Sequence, residues 1–312
     1  MSSELQKALE LKLSNYQSNR VDRLIRSVRE CSPLGAALLD RAEQNGCKIV
    51  LGDGMKAAGS FVRKENAILL NHQMSDERLM STLVHEARHL VQDENAPLCV
   101  AHCGLNLESL IRVCRAREAD AKAFQCAAAH QMMTSNPKVW KEFFKASPKI
   151  AFAYIEKYKQ TKSVEASLPE AFKAWFDDLE YADKYDRKML SFMESRVSKG
   201  DDGLMEDRFS SKRAIGNICK YGSACYMKGE EGFLETERAM TIKEDIFFRC
   251  ADVSKSAFEN GQCEEEDKSF LKFFVKEAGG VVPGKNKSDK RPGVSEEWSF
   301  IMSCFDKRTA GR

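Results

Sequence analysis

The sequence lacks several features that would assign a protein to a class at once. It has no apolar run of membrane-spanning length, and its first ten residues, MSSELQKALE, contain no apolar core of the kind that a secretory signal needs. Its 49 basic and 47 acidic residues leave a net charge of +2, so no overall field favours nucleic acid or a membrane. We therefore expect a cytoplasmic protein without nucleic-acid or membrane partners. Its oligomeric state stays open, as does export by a route that needs no cleavable signal.

A regular cysteine framework is also missing. The eleven cysteines are scattered and odd in number, which favours free thiols in a reducing compartment over disulfides. The densest group is Cys99, His102 and Cys103, and no second pair follows it at the spacing of a structural zinc site. We interpret these three as loop residues rather than metal ligands.

The apolar pattern predicts an α+β protein, mainly α, in four segments. Residues 1–45 read as an N-terminal helical segment. Residues 46–135 combine short strands with two long helices and form the expected core. Residues 136–228 read as a helical region that packs on this core, and residues 229–312 as a C-terminal helical extension with a polar tail.

The core segment begins with short apolar runs. Residues 47–51 form one run, and residues 59–71 read as two strands around a polar turn. We expect a small antiparallel sheet in which strand 67–71 edges a cleft, where a peptide could add as a further strand. One long helix is expected to start near Ser75 and a second after Asn106, since both residues are good N-caps.

The first of these helices contains the motif that carries chemistry, within STLVHEARHLVQDE. His85 and His89 are four residues apart, so their rings project from one helix face and could bind the same Zn²⁺. Glu86 would then stand beside a zinc-bound water. Zinc lowers the pKa of such a water, the glutamate takes its proton, and the hydroxide attacks a carbonyl group.

Two other interpretations of the motif stay open. It could occur by chance on a solvent-exposed face, or the two histidines could be core residues with other partners. The apolar neighbours argue that this helix is largely buried, and buried imidazoles need partners that a shared metal would supply. Those neighbours are Leu79, Leu83, Val84, Leu90 and Val91.

A catalytic zinc site needs a third protein ligand, and Glu118 is the candidate. Three and six residues after the second histidine stand Gln92 and Asn95, which do not fit the pattern that places a ligand on the same stretch. Glu118 interrupts the apolar stripe of the second helix, where an apolar residue is expected. Alternatively, it pairs at the surface with Arg115 or Lys122, as most helical glutamates do.

The segments VHEARHLVQ and READAKAFQ resemble the gluzincin metallopeptidases, and more closely their minimal bacterial forms, including the ImmA/IrrE-type peptidases. The resemblance implies a zincin-like core in which a small sheet precedes the motif helix and the glutamate-bearing helix. It also implies Zn²⁺ as cofactor, with His85, His89 and Glu118 as ligands and Glu86 as general base. The implied reaction is hydrolysis of peptide bonds in a protein or peptide substrate.

The resemblance covers roughly residues 46–132, with weaker likeness to about residue 226. The chain departs from the thermolysin-type pattern, because Lys122 stands where that pattern has an aspartate four residues after the ligand. Asp120 lies on a different helix face, so its role in orienting a histidine is doubtful.

The function expected from these observations is that of a zinc-dependent metallopeptidase. Two alternatives remain: an interaction or regulatory protein that keeps the zincin scaffold without turnover, and an effector protease delivered into another cell to cut a host protein. A peptidase also needs a group that stabilises the oxyanion. The sequence offers four tyrosines for this role without choosing among them, namely Tyr154, Tyr158, Tyr181 and Tyr185.

Overall fold

The computed structural model describes residues 3–95, 104–205, 207–277 and 280–283. The group of Cys99, His102 and Cys103 and most of the polar tail lie outside these residues. None of the helices in the described ranges is both long enough and apolar enough to span a bilayer.

Two helices open the fold, as predicted for residues 1–45. Helix α1 comprises Ser3–Cys31 and α2 comprises Pro33–Gln44. The hydroxyl of Ser32 accepts the N–H of Gly35 at 2.9 Å and so caps α2. After α2, Gly46 adopts a φ of +63°, a left-handed conformation that glycine takes without strain and that ends the helix.

The first sheet contains β1 (Lys48–Gly52), β2 (Gly59–Val62) and β3 (Ala67–Asn71) in the order β1-β3-β2. β2 pairs with β3 antiparallel, but β1 pairs with β3 parallel, so the predicted antiparallel sheet is wrong for one of the two pairings. The expectation that strand 67–71 lies at the edge is also wrong. β3 is the most apolar and most buried of the three strands, and the central position is the one that buries a strand best.

Two long helices follow the sheet and pack on each other. Helix α3 comprises Asp76–Asn95 and lies against β2 and β3, and α4 comprises Leu107–Met132. Asn106 caps α4 through its side chain, which accepts the N–H of Ser109 at 2.9 Å. The small residues of α4, mostly alanines, allow helices to approach it from several sides, so α4 forms the centre of the protein.

The predicted helical region continues around α4. It contains α5 (Pro137–Ala146), α6 (Pro148–Thr161), α7 (Val164–Trp175), α8 (Leu179–Ser198) and α9 (Ser211–Ile218). The side chain of Asp178 caps α8 by accepting the N–H of Tyr181 at 3.1 Å. This cap separates α8 from α7, which ends at Trp175.

The part that follows α9 is less helical than the sequence suggests. It contains β4 (Lys220–Tyr221), β5 (Ala224–Cys225), α10 (Glu237–Met240), β6 (Thr241–Lys243), α11 (Glu244–Glu259), β7 (Phe274–Glu277) and β8 (Gly280–Pro283). β6 pairs with β7 in parallel and β7 with β8 antiparallel. Strands of two to four residues are too short for an alternating pattern to distinguish them from helix.

One continuous set of buried apolar side chains runs from α1 to β7. Cysteines such as Cys114, Cys126 and Cys219 are buried in it as free thiols, as expected. The fold is α+β and mainly α, which confirms the predicted class. The division of the chain into four segments stays a prediction.

Candidate metal centre

The structure brings His85, His89 and Glu118 together where α3 crosses α4. The Nε2 atoms of the two histidines are 3.2 Å apart, and their rings are perpendicular. Oε2 of Glu118 lies 3.4 Å from Nε2 of His85, and Oε1 lies 3.5 Å from Nε2 of His89. Among the described residues these three form a group that could hold a metal ion.

The three separations fit a zinc ion. Ligand atoms about 2.0–2.1 Å from Zn²⁺ in a tetrahedral arrangement are about 3.3–3.4 Å from one another. The observed separations of the three donor atoms, 3.2–3.5 Å, are close to these values. Two imidazoles and one carboxylate also form a common donor set of catalytic zinc sites, which leave the fourth position to water or substrate. The residues present therefore fit the metal that the sequence implies.

The protonation of the three side chains also suits a cation. Burial alone would raise the pKa of Glu118, but the two imidazoles outweigh it and hold that pKa well below its usual range. Burial lowers the pKa of His85 and so favours its neutral form. Burial would lower the pKa of His89 as well, yet the Glu118 carboxylate raises it. A bound metal ion would stabilise the negative charge of Glu118 in place of the protonated His89.

Glu86 lies beside this cluster and is held by the neighbouring strand. Its Oε2 accepts the backbone N–H of Phe61 at 2.9 Å, and the residue is 7% exposed. In the alternation of an antiparallel pair, Phe61 directs its N–H away from β3, so Glu86 meets the free edge of β2. The residues that edge the cleft thus belong to β2 rather than to strand 67–71.

Gly59 allows this close approach of strand and helix. A Cβ atom built on Gly59 would lie 2.6 Å from Cγ2 of Thr82 and 3.0 Å from Cγ of Glu86. Only a residue without a side chain lets β2 come near enough to α3 for Phe61 to reach Glu86. A glycine inside a strand-like run indicates that another part of the chain approaches closely. The sequence does not show which helix approaches it.

Comparison with models of known protein families matches residues 4–220 to a family described as "Putative metallopeptidase family (DUF6782)". The match spans more than two thirds of the chain and includes all four residues of the motif and ligand set. The chain belongs to this family. Neither the curated proteins nor the solved structures give a match. The family description suggests metal-dependent hydrolysis of peptide bonds and specifies neither the metal nor a subtype.

The matched region also contains the side chain that orients His89. Nε2 of Gln92 donates to the carboxylate of Asp120 at 2.6 Å and to the carbonyl of Arg117 at 2.8 Å. Its Oε1 therefore faces Nδ1 of His89, 2.9 Å away, and requires a proton on that nitrogen. The Nε2 lone pair of His89 is then free to bind a metal. Asp120 thus acts on the histidine indirectly, a role that the helix-face argument did not foresee.

Asp120 itself belongs to a buried charge network. It accepts two hydrogen bonds from Arg88, at 2.7 and 3.0 Å, and one from the hydroxyl of Tyr226 at 2.8 Å. Arg88 also donates to the carbonyls of Ile218 and Lys220 and lies 3.7 Å above the ring of Phe124. The network connects α3 and α4 to the end of α9 and the hairpin after it.

The cluster opens into a cleft of about 830 Å³ that His85 and Glu86 line. Tyr181 and Tyr185 line the same cleft, with their hydroxyl oxygens 3.2 Å apart. Burial, followed by the charge of Glu118, raises the pKa of Tyr185, which keeps its hydroxyl protonated as a donor. Tyr154 and Tyr158 stack on each other elsewhere, against His130. Of the four tyrosines that the sequence offers as oxyanion donors, Tyr181 and Tyr185 are the two that line the cleft.

Proposed function

We propose that the protein is a zinc-dependent metallopeptidase of the gluzincin type with a zincin-like core. The observation that carries the proposal is the triangle of His85, His89 and Glu118, whose edges suit tetrahedral zinc, with Glu86 adjacent. Membership of a family described as metallopeptidases supports the reaction class.

Each residue has a distinct role in this proposal. The two histidines and Glu118 would hold the ion, which when bound would acidify a water molecule and polarise the scissile carbonyl. Glu86 accepts the proton of the attacking water and passes it to the leaving amine. The N–H of Phe61 fixes the Glu86 carboxylate at the strand edge. A substrate strand that pairs with β2 would bring its backbone beside this carboxylate.

Removing Glu118 tests the proposed ligand set. Glu118→Ala should lose its zinc on dialysis, because two imidazoles remain where a catalytic site uses three protein ligands. The measurement is metal content by plasma emission spectrometry, with one zinc per chain expected for the wild type. Glu142→Ala, a carboxylate of the same cleft outside the cluster, should retain it. A wild-type protein without stoichiometric zinc, or a Glu118→Ala variant that keeps it, would contradict the assignment.

Tyr185 is the proposed donor to the oxyanion, because it lines the cleft together with His85 and Glu86 and the charge of Glu118 contributes to its raised pKa. Tyr185→Phe should lower kcat by about 10²–10³-fold, as loss of one such donor does elsewhere, with little change in KM. Peptide-cleavage kinetics measure this. Tyr158→Phe, which removes a hydroxyl outside the cleft, is the matched control. Equal kcat values for both variants would exclude the role.

The cleft is rich in positive charge. It is lined by Lys56, Arg78, Lys122, Lys145 and Lys184, against the carboxylates of Glu86 and Glu142. Lys122 is 6% exposed, donates to Oε1 of Gln125 at 2.8 Å, and forms no ion pair with any described residue. Its ammonium also lies 5.5 Å from the centre of the Tyr181 ring, but neither this ring nor Gln125 supplies a negative charge. A buried charge without a counter-charge is costly, so we propose that Lys122 pairs with an acidic side chain of the substrate.

This assignment predicts a change in specificity. In a pool of peptides, the wild type should prefer Asp or Glu at one position near the cleaved bond. Lys122→Met should reduce kcat/KM for those acidic peptides by about 10–100-fold, the value of a hydrogen bond to a charged group, and spare neutral peptides. Lys184→Met, at the exposed rim, is the control. Parallel losses for acidic and neutral peptides would count against Lys122 as a specificity residue.

A further inference from the structure

A second cavity, of about 730 Å³, lies at the N-terminal end of α4 and shares no lining residue with the metal-site cleft. Its walls come from the first two turns of α4, the segment that leads into α9, and residues before β6 and around β7. Four basic residues line it, namely Arg112, Arg208, Arg213 and Lys272. Two carboxylates, Glu108 and Glu235, face them.

The carboxylates do not balance this charge. Glu108 is buried and is shared by Arg112 and Lys272, whose Nζ lies 2.8 Å from Oε2. The side chain of Glu235 is 59% exposed, and its carboxylate comes no closer than 4.0 Å to the guanidinium of Arg112. Arg208 and Arg213 form no ion pair within the described part of the chain, so two positive charges remain unmatched.

Other features of the cavity agree with an excess of positive charge. Burial, then the nearby Arg112 and Arg208, lower the pKa of Lys272. Arg112 is 6% exposed, and its Nε has no hydrogen-bond partner among the described residues. Helix α9 begins at the wall with Ser210 as its N-cap, so its N-terminus, the positive end of the helix dipole, lies beside the cavity.

The cavity also has an apolar side. Phe209, Met240 and Phe274 line it, and the guanidinium of Arg213 lies 4.5 Å from the centre of the Phe209 ring. This contact holds Arg213 at the wall without a counter-charge. The volume is in the range of small-molecule sites, about 300–1,000 Å³.

The first turn of α4 does not supply the binding groups. Its amides are already occupied: Leu107 donates to Asp267 at 2.7 Å, Glu108 to Ser269 at 3.1 Å, and Ser109 to Asn106 at 2.9 Å. An anion would therefore be held by Arg208, Arg213 and Lys272 rather than by this helix end.

We propose that this cavity binds a phosphorylated small molecule that carries at least two negative charges. One guanidinium can donate two parallel hydrogen bonds to a phosphate group, so Arg208 and Arg213 could each hold the ligand through two contacts. The apolar wall would cover the body of the ligand. The site is separate from the metal centre and does not depend on the proposed peptidase activity.

Calorimetric titration of the full chain with phenyl phosphate tests the proposal, at a pH where the phosphate is dianionic. We expect saturable binding, and binding at least about tenfold weaker for phenyl sulfate, which has the same shape and one charge. The double variant Arg208→Gln/Arg213→Gln should lose at least about tenfold in affinity, because the charged hydrogen bonds from both guanidinium groups to the phosphate disappear.

Two controls keep the outcome clear. Both arginines are exposed, so the double variant should keep the thermal unfolding midpoint of the wild type. Lys184→Gln removes a charge from the metal-site cleft and should leave binding unchanged. The proposal is overturned if the wild type shows no saturable binding, if the double variant binds as well as the wild type, or if Lys184→Gln abolishes the signal.

Discussion

Glu86→Gln should reduce peptide cleavage by about 10²–10⁴-fold, the usual contribution of a general base, and leave the metal in place. Glutamine has the same size and can still accept the N–H of Phe61, but it cannot take a proton from water. The three proposed metal ligands are unchanged. The measurement compares new peptide termini after incubation of each protein with a complex lysate, alongside metal content.

Glu77→Gln is the matched control, since it makes the same chemical change in the first turn of the same helix, outside the cleft. It should cleave like the wild type. Identical termini from wild type and Glu86→Gln would contradict the peptidase assignment. A wild type that binds zinc and cleaves nothing would instead favour an interaction protein on the same scaffold.

Asp120→Ala should destabilise the protein by about 3–5 kcal/mol, because it leaves a buried charge, Arg88, without its partner. Arg88 and Asp120 are 3% and 0% exposed. Tyr226 and Gln92 would also lose an acceptor, and with Gln92 the support of His89 weakens. Urea unfolding at equilibrium measures the free-energy change.

The control is an exposed ion pair of the same type. Arg238 and Asp177 lie 2.6 Å apart and are each about 40% exposed, so Asp177→Ala should cost about 0–1 kcal/mol. Replacing both buried partners, as Arg88→Met with Asp120→Leu, should recover much of the loss, since no unpaired charge remains. If Asp120→Ala destabilised the protein as little as Asp177→Ala, the network would not stabilise the candidate metal centre.

The elements that the sequence predicts well are those governed by local chemistry. Asn106 and Ser32 begin helices because their side chains accept amide protons three residues on. The spacing of His85 and His89 likewise fixes two rings on one face. Glu118 stands out as a candidate ligand because a carboxylate on an apolar stripe departs from a local pattern.

The elements that it misses depend on distant parts of the chain. The central position of β3 and its parallel pairing with β1 depend on how the three strands assemble, which the sequence of neither strand shows by itself. Gln92 looks like an ordinary helix residue until Asp120 is placed beside it. Tyr226 reaches the network across a separation of 106 residues, and no periodicity reports such a contact.

The backbone carbonyls that accept hydrogen bonds from Arg88 determine how short a stable fragment containing the candidate site can be. They belong to Ile218 and Lys220, and the hydroxyl that completes Asp120 comes from Tyr226. A fragment limited to the sheet and the two central helices would leave this arginine and carboxylate only half surrounded. The sheet and the two central helices, about ninety residues, should therefore not fold stably without the segments that follow them. The smallest self-sufficient fragment should extend through Tyr226.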